Sequence, residues 1–228
     1  IDNYTKSRLE DEILKAHSIS YEVSDSNQII NGKTNILVGV YGSGEAVDRY
    51  AEKYTLLTEN LFSKTDSYFL VSDNNVITVL GKDTDSAFYG LTTLYHIFNQ
   101  VTDNEIRNFK IEDYANVVTR GFIEGYYGNP WSVQDRADLM TYGGYYKLNA
   151  YFYAPKDDPK HRVQWRSLYT EDELKWIKQL ADAGNASKSG ANLSVVLARE
   201  IALPSTAYSI DNTEFERTAM RCGSFGTV

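Results

Sequence analysis

The sequence contains very little cysteine and histidine. Its single cysteine, Cys222, excludes a disulfide within the chain and any metal site built from paired cysteines. The three histidines, His17, His96 and His161, lie far apart and lack the spacing typical of metal ligands. We therefore expect neither a disulfide framework nor a bound metal.

Long apolar runs and basic blocks are also missing. No stretch approaches the roughly 18 apolar residues of a membrane-spanning helix, and no charged-then-apolar signal segment opens the chain. The net charge is −8 and the isoelectric point is near 5.0, with no basic segment that carries interleaved aromatics. We expect no membrane span, and nucleic acid is an unpromising partner.

What the 228 residues do contain is the composition of a folded globular protein. Apolar residues make up 42%, charged residues 24% and aromatic residues 13%, with 18 tyrosines. This length suits one large domain or two ordinary ones.

Residues 1–113 alternate between strand-like and helix-like segments, which predicts a small α/β domain. One of its turns is a hairpin signal, because Asp73-Asn74-Asn75 separates two apolar runs. A helix is predicted at residues 44–54, and a second begins at Asp83. The predicted strands are residues 19–23, 35–40, 67–71, 76–80 and 109–112.

From residue 114 the pattern becomes strand, loop, helix, strand, loop, helix. Crossovers of this kind indicate parallel strands, expected at residues 118–124 and 148–154. Ser132 with Asp135, and Thr170 with Glu173, predict the starts of the two helices. Long loops at strand ends are typical of a (β/α)8 barrel, but two units alone fit a doubly wound sheet as well.

The first loop with chemical potential is residues 125–131. Its glycines, Gly125 and Gly128, let the backbone approach a ligand, and its three aromatics offer faces on which sugar rings stack. The same residues would equally suit a tight turn whose aromatics plug the top of a barrel.

The second loop follows the next strand and contains Lys156, Asp157 and Asp158. A lysine just past a buried strand must pair with a carboxylate or reach a ligand. The two aspartates resemble an acid–base pair, but adjacent residues on an extended chain point to opposite faces. A structural role in holding the loop is therefore the commoner one. For His161 we expect an exposed position or a pairing within the loop.

Two long motifs resemble the family-84 glycoside hydrolases. They are Arg-Gly-Phe-Ile-Glu-Gly-Tyr-Tyr-Gly-Asn-Pro-Trp-Ser at residues 120–132, and Lys-Leu-Asn followed by Tyr-Ala-Pro-Lys-Asp-Asp-Pro at residues 147–159. Within that family the chain is most similar to the bacterial hyaluronidase-like members, relatives of the O-GlcNAc hydrolases. The resemblance implies an α/β fold: a small hexosaminidase-type N-terminal domain, then the first units of an incomplete (β/α)8 TIM barrel.

The resemblance also implies a chemistry. Members hydrolyse β-linked N-acetylhexosamine in glycans or glycosaminoglycans with retention, because the substrate's own acetamido oxygen attacks the anomeric carbon and forms an oxazoline. Two neighbouring carboxylates assist, and no metal or organic cofactor is needed. Carried over by motif, Gly125 offers a backbone contact to the sugar and Lys156 binds a ring hydroxyl. Secretion is a further implication.

The chain departs from the family in its second half. The family's catalytic Asp-Asp pair follows the fourth barrel strand, whereas Asp157-Asp158 follows the second and no other Asp-Asp occurs. The resemblance ends near residue 188: residues 1–188 hold 13 Lys and 17 Tyr, and residues 189–228 hold no Lys and one Tyr. A frameshift, a fusion, a faulty gene prediction or natural divergence would explain such a tail, in which residues 193–198 still suit a strand.

We therefore expect three parts: a non-catalytic domain at 1–113, the start of a catalytic barrel at 114–188, and an unrelated tail at 189–228. A complete barrel needs about 250 residues, so we assign no catalytic residue and expect this polypeptide to be inactive. The alternative function is a module that binds glycans or proteins without catalysis.

Overall fold

The computed structural model of the chain describes residues 1–24, 28–55, 60–103, 105–125, 128–161, 163–164, 166–188, 192–197 and 206–210. The chain divides into two compact units, Ile1–Val118 and Thr119–Val228. Each unit contains its own four-stranded sheet.

The sheet of the first unit is mixed. Its strands are β1 (Asn35–Val40), β2 (Tyr68–Asp73), β3 (Val76–Gly81) and β4 (Phe109–Asp113). They lie in the order β1-β3-β2-β4, with β1 parallel to β3 and the other two pairs antiparallel. Asn74 and Asn75 form the β2–β3 turn with φ of 47° and 63°, a left-handed conformation that asparagine tolerates. The predicted hairpin is therefore confirmed.

Helices cover both faces of this sheet. They are α1 (α-helical over Asn3–Ser7 and π-helical over Arg8–Lys15), α2 (Ala46–Thr55) and α3 (Thr84–Phe98), with a 3-10 turn at Leu61–Ser63. The Asp83 carboxylate starts α3 by accepting from the Ser86 N–H at 2.8 Å, as predicted. Helices α1 and α3 pack on one face, where the buried side chains include Ile13, Leu14, Leu70, Ile77, Val79, Phe88, Leu91 and Leu94. Helix α2 packs on the other face, over Val47, Ala51, Leu61, Phe69, Val71 and Leu80.

One predicted strand of the first unit is wrong. Residues 19–23 form no regular element, and Ile19 and Val23 are exposed. Alternation of apolar residues makes a strand only where a neighbouring backbone is available to pair with it. The Tyr21 hydroxyl instead donates to Glu10 of α1 at 3.1 Å.

Helix α1 has no counterpart among the predicted elements. Asp2 caps it by accepting from the Thr5 N–H at 2.8 Å. Ile13 and Leu14 are its buried apolar residues, adjacent in sequence. A buried face this narrow gives little periodic signal in the sequence.

The second unit contains the two predicted strand–helix units. Its strands are β5 (Gly121–Glu124), β6 (Ala150–Tyr153), β7 (Asn192–Leu197) and β8 (Thr206–Ile210), in that order across the sheet. Helix α4 (Val133–Gly144) joins β5 to β6, and helix α5 (Glu171–Ser187) joins β6 to β7. Strands β5, β6 and β7 are mutually parallel. The predicted parallel arrangement is confirmed, and so is a strand within residues 193–198.

Both helices of this unit begin as the sequence predicts. Ser132 and Asp135 form a reciprocal capping box at α4, and Thr170 and Glu173 form another at α5. The helices then bury their apolar faces against β5 and β6, with a core of Met140, Tyr151, Tyr153, Leu174, Ile177, Leu180 and Ala181.

The second sheet does not close within the described residues. Strand β8 runs antiparallel to β7, where a barrel would place a further parallel strand. The reason is geometric: only eight residues separate Leu197 from Thr206, and a parallel crossover needs a dozen or more. The fold class is therefore confirmed as α/β, with the first units of an incomplete barrel.

Candidate active site

Gly125 and Lys156 follow two neighbouring parallel strands at the same edge of the second sheet. Glu124, the last residue of β5, pairs with Tyr153, the last residue of β6. The Ala154 N–H donates to the Glu124 carbonyl at 3.0 Å and extends this pairing. The two loops therefore leave the sheet side by side, at the edge where barrels place their sites.

The backbone of Gly125 is open to solvent. A Cβ atom built at Gly125 would meet only the Ile123 Cγ2 atom, at 3.8 Å, among the described residues. Trp131, at the end of the same loop, is also exposed, while Tyr126 and Tyr127 lie outside the described residues. A ligand has room to reach this backbone, and the role of Gly125 in binding stays a prediction.

Lys156 is half-buried in the turn after β6. It has no hydrogen bond or ion pair with any residue in the described part of the chain. Of the two arrangements that the sequence allows, a carboxylate partner is thus not found there. The ammonium group is available to a ligand, and its contact with a sugar stays a prediction.

The two adjacent aspartates of this loop point to different partners. Asp158 accepts from the hydroxyls of Tyr153 and Tyr169, each at 2.9 Å, and from the Lys160 N–H at 2.7 Å. Asp157 accepts from the Gly128 N–H of the neighbouring loop at 3.1 Å. The carboxylates therefore do not converge on a common point, which favours the structural interpretation of this pair.

The hydroxyls that bind Asp158 are held in their neutral form. Burial raises the pKa of Tyr153 and of Tyr169, and the nearby charge of Asp158 raises both further. Both tyrosines therefore act as hydrogen-bond donors throughout the physiological pH range.

Glu124, just before Gly125, belongs to a buried polar network that the sequence analysis missed. Arg136 of α4 donates to it through Nε at 2.9 and 3.1 Å and through a terminal nitrogen at 2.6 Å. The Tyr151 hydroxyl donates to the same carboxylate. The guanidinium also lies over the rings of Tyr153 and Trp176. One ion pair thus ties β5, β6, α4 and α5 together at the edge that carries the site.

Electrostatics keeps Arg136 charged and the Tyr151 hydroxyl protonated. Burial opposes the charge on Arg136, but its hydrogen bonds to Glu124 and the charge of that carboxylate raise the pKa of the guanidinium. Burial and the same carboxylate raise the pKa of the Tyr151 hydroxyl. The signal in the sequence is incomplete: Glu124 alternates with Phe122 on the helix-facing side of β5, which indicates that a buried carboxylate needs a cation but not which residue supplies it.

The rest of the second loop is pinned to helix α5. Lys160 is buried, and its ammonium group donates to Glu173 at 2.7 Å and to the Leu168 carbonyl at 2.6 Å. Of the two expectations for His161, the exposed position is wrong, because the residue is fully buried, and the pairing within the loop is found. The turn that starts at Asp158 folds it inward, because the His161 N–H donates to the Asp158 carbonyl at 3.1 Å.

Comparison with known proteins assigns each unit to a family model. The model described as glycosyl hydrolase family 20, domain 2, matches residues 1–114, which is half of the chain. The model described as beta-N-acetylglucosaminidase matches residues 120–203. Among solved structures, CpGH84D is 46% identical with a TM-score of 0.77, and CpGH84B is 29% identical with a TM-score of 0.67. The chain is thus a relative of the family-84 glycoside hydrolases.

Curated relatives agree with this assignment. The chain is 43% identical over 63 residues to Protein O-GlcNAcase of Rattus norvegicus, and equally to that of Mus musculus. That match covers 28% of the chain and 7% of each relative. CpGH84D and CpGH84B are matched over 83% and 85% of the chain, but the chain spans only 31% of either structure.

Over the residues with described coordinates, no group of three or more His, Cys, Asp or Glu side chains could hold a metal ion. Nor does any helix in those same ranges combine the length and apolarity that crossing a bilayer requires.

Proposed function

We propose that this chain carries the substrate-contacting start of a barrel that hydrolyses β-linked N-acetylhexosamine in a glycan or glycosaminoglycan. One observation carries the proposal. Gly125 and Lys156 leave adjacent parallel strands at the same sheet edge, in a chain of a glycoside hydrolase family.

Each of the two residues has a chemical role in sugar binding. The open backbone at Gly125 offers its N–H and C=O groups to a sugar hydroxyl. The Lys156 ammonium group has three donors and suits a ring hydroxyl that accepts a hydrogen bond. The exposed ring of Trp131 adds an apolar face of the kind on which a sugar ring stacks.

The reaction we propose for the complete site is retaining and substrate-assisted. The acetamido oxygen attacks the anomeric carbon while a carboxylic acid protonates the departing glycosidic oxygen, which yields an oxazoline and the free alcohol. A second carboxylate orients and polarises the acetamide. The first carboxylate then removes a proton from the water that opens the oxazoline.

We propose that the 228-residue polypeptide does not perform this reaction by itself. The sequence holds one Asp-Asp pair, Asp157-Asp158, and it follows the second barrel strand. Three donors already occupy the Asp158 carboxylate, and Asp157 turns towards Gly128. Neither aspartate is placed to act with the other on one substrate.

The test is turnover of p-nitrophenyl β-N-acetylglucosaminide by the purified full chain. We expect no release of p-nitrophenol above a preparation from an empty-vector culture. Release that follows the concentration of the chain would contradict the proposed inactivity and would require catalytic carboxylates among these residues.

The second candidate function is a module that binds glycans or proteins without catalysis. Among the described residues, the separate directions of the Asp157 and Asp158 carboxylates favour it. Tight binding of a glycan polymer or a protein, without turnover and without dependence on Lys156, would support the module. Weak binding of the monosaccharide through Gly125 and Lys156 would support the enzymatic lineage.

We further propose that the protein acts outside the cell. Resemblance to hyaluronidase-like bacterial enzymes is the basis for proposing secretion and an extracellular glycosaminoglycan such as hyaluronan. Immunodetection in the culture medium and in the cell lysate of the native host tests this: a protein confined to the cells would contradict it.

A further inference from the structure

The carboxylate of Asp158 anchors the loop that carries Lys156. Its three donors come from the end of β6, from the loop itself and from Tyr169, just before α5. The same residue closes the turn after β6, because its N–H donates to the Pro155 carbonyl at 3.3 Å. Lys156 lies inside this turn, so its backbone is fixed by groups that do not touch the substrate.

Asp157 links that loop to the loop of Gly125. Its carboxylate accepts from Gly128, three residues after Gly125. Gly128 has a φ of 127°, a conformation that residues with a side chain rarely adopt. The backbone thus takes a form available to glycine and directs its N–H across to the next loop.

We propose that Asp157 and Asp158 are a positioning pair, which sets the separation between the Gly125 backbone and the Lys156 ammonium group. Asp158 fixes one loop to the barrel start, and Asp157 joins the other loop to it. No proton moves and no bond to substrate forms at either carboxylate. This inference rests on the proposed function, which makes Gly125 and Lys156 the sugar contacts.

The two aspartates are adjacent in sequence, but each carboxylate binds a different part of the structure. Asp157 lies within the turn after β6 and Asp158 closes it, so the Asp158 carboxylate faces the end of its own strand while the Asp157 carboxylate faces the next loop. A catalytic pair would need both carboxylates on one side. Asp157 and Asp158, which resemble an acid–base pair in the sequence, therefore hold the two loops together, and we call them the clamp.

Amide hydrogen exchange of the 15N-labelled full chain tests the clamp directly. Asp157→Ala should speed exchange at the Gly128 amide about fivefold, the factor expected for one lost hydrogen bond. Asp157→Asn retains an acceptor oxygen and should restore most of the protection. Asp182→Asn is the matched control, since that exposed carboxylate binds Lys178 on α5, and it should leave Gly128 unchanged.

A second variant tests the anchor without removing a charge. Tyr169→Phe deletes one donor to Asp158 and keeps the ring, so the unit should still fold. We expect faster exchange at both the Asp158 amide, which donates to the Pro155 carbonyl, and the Gly128 amide, although the Tyr169 hydroxyl bonds to neither amide. Unchanged exchange at Gly128 in Asp157→Ala, or at both amides in Tyr169→Phe, would overturn the proposal.

Titration with N-acetylglucosamine separates this inference from the proposed function. If the wild-type chain binds the sugar, Asp157→Ala and Tyr169→Phe should each weaken binding several-fold, and Asp182→Asn should not. If Asp157→Ala and Tyr169→Phe both bind the sugar as tightly as the wild type does, the positioning role is overturned. If the wild-type chain binds no sugar, the proposed function fails, and the exchange rates alone decide whether the aspartates couple the two loops.

Discussion

The buried pair of Glu124 and Arg136 makes the sharpest prediction about stability. Replacing Arg136 with methionine keeps a long apolar stem but removes every guanidinium donor. Glu124 would then remain as a buried carboxylate with the Tyr151 hydroxyl as its one remaining donor from this network. A buried carboxylate that loses its ion-pair partner destabilises the fold strongly, because the attraction that offset its desolvation is gone.

The magnitude follows from the burial of both partners. The Glu124 side chain is 0% exposed and the Arg136 side chain 6%. Breaking such a pair from one side costs about 3–5 kcal/mol, against a total stability of about 5–15 kcal/mol for a typical domain. The double variant Glu124→Leu with Arg136→Met should cost clearly less, since it leaves no unpaired charge. Lys178→Met, which breaks an exposed pair with Asp182 on α5, should cost about 0–1 kcal/mol.

Urea unfolding followed by tryptophan fluorescence measures these differences in the second unit alone. The three tryptophans, at positions 131, 165 and 176, all belong to that unit, and the first unit has none. We expect a large loss of stability for Arg136→Met and a partial recovery in the double variant. A cost for Arg136→Met no larger than for Lys178→Met would refute the claim that this ion pair holds the edge of the site.

Two further predictions concern helix starts. Asp83→Ala should lower the stability of the first unit by about 1 kcal/mol, because the cap of α3 is lost, while Asp83→Asn should retain most of it; a thermal melt followed by circular dichroism compares the two. At α5, burial alone would raise the pKa of Glu173, but hydrogen bonds from Lys160 and Thr170 outweigh it and lower that pKa. The stabilisation is therefore complete above the unfolded-state value and is lost as pH falls through the lower folded-state value. Glu173→Gln should flatten the loss of second-unit stability between about pH 5 and 3, and a slope equal to that of the wild type would contradict this assignment.

The local structure followed from the sequence wherever a short-range rule decides it. The Asn74-Asn75 turn, the Asp83 cap and the two capping boxes depend on residues within four positions of one another. Parallel pairing of β5 and β6 followed from the helix between them. The turn and the helix starts thus depend on local contacts alone, and the parallel pairing depends on the length of the connection.

The failures are the features that depend on distant partners. Residues 19–23 have the alternation of a strand but no pairing partner, and His161 is buried by a turn that only the fold creates. The direction of β8 depended on the length of its connection to β7. The partnership of Glu124 with Arg136 spans twelve residues and two elements, so neither position announces it alone.

Half of the candidate site could be predicted and half could not. Motif and strand order placed Gly125 and Lys156 at one sheet edge, and the structure puts their loops side by side. The sequence leaves two interpretations of Asp157 and Asp158 open, an acid–base pair or a structural role in the loop. Only the positions of Tyr153, Tyr169 and Gly128 in the folded chain decide between the two.

Binding of N-acetylglucosamine at the two loops tests the central claim most directly. The measurement is a titration of the 15N-labelled full chain, with amide resonances followed in wild type, Lys156→Met and Lys178→Met. We predict saturable shifts of the Gly125 and Lys156 amides in wild type, at least tenfold weaker binding in Lys156→Met, and no change in Lys178→Met. Shifts confined to other residues, or equal affinity in all three proteins, would contradict the account.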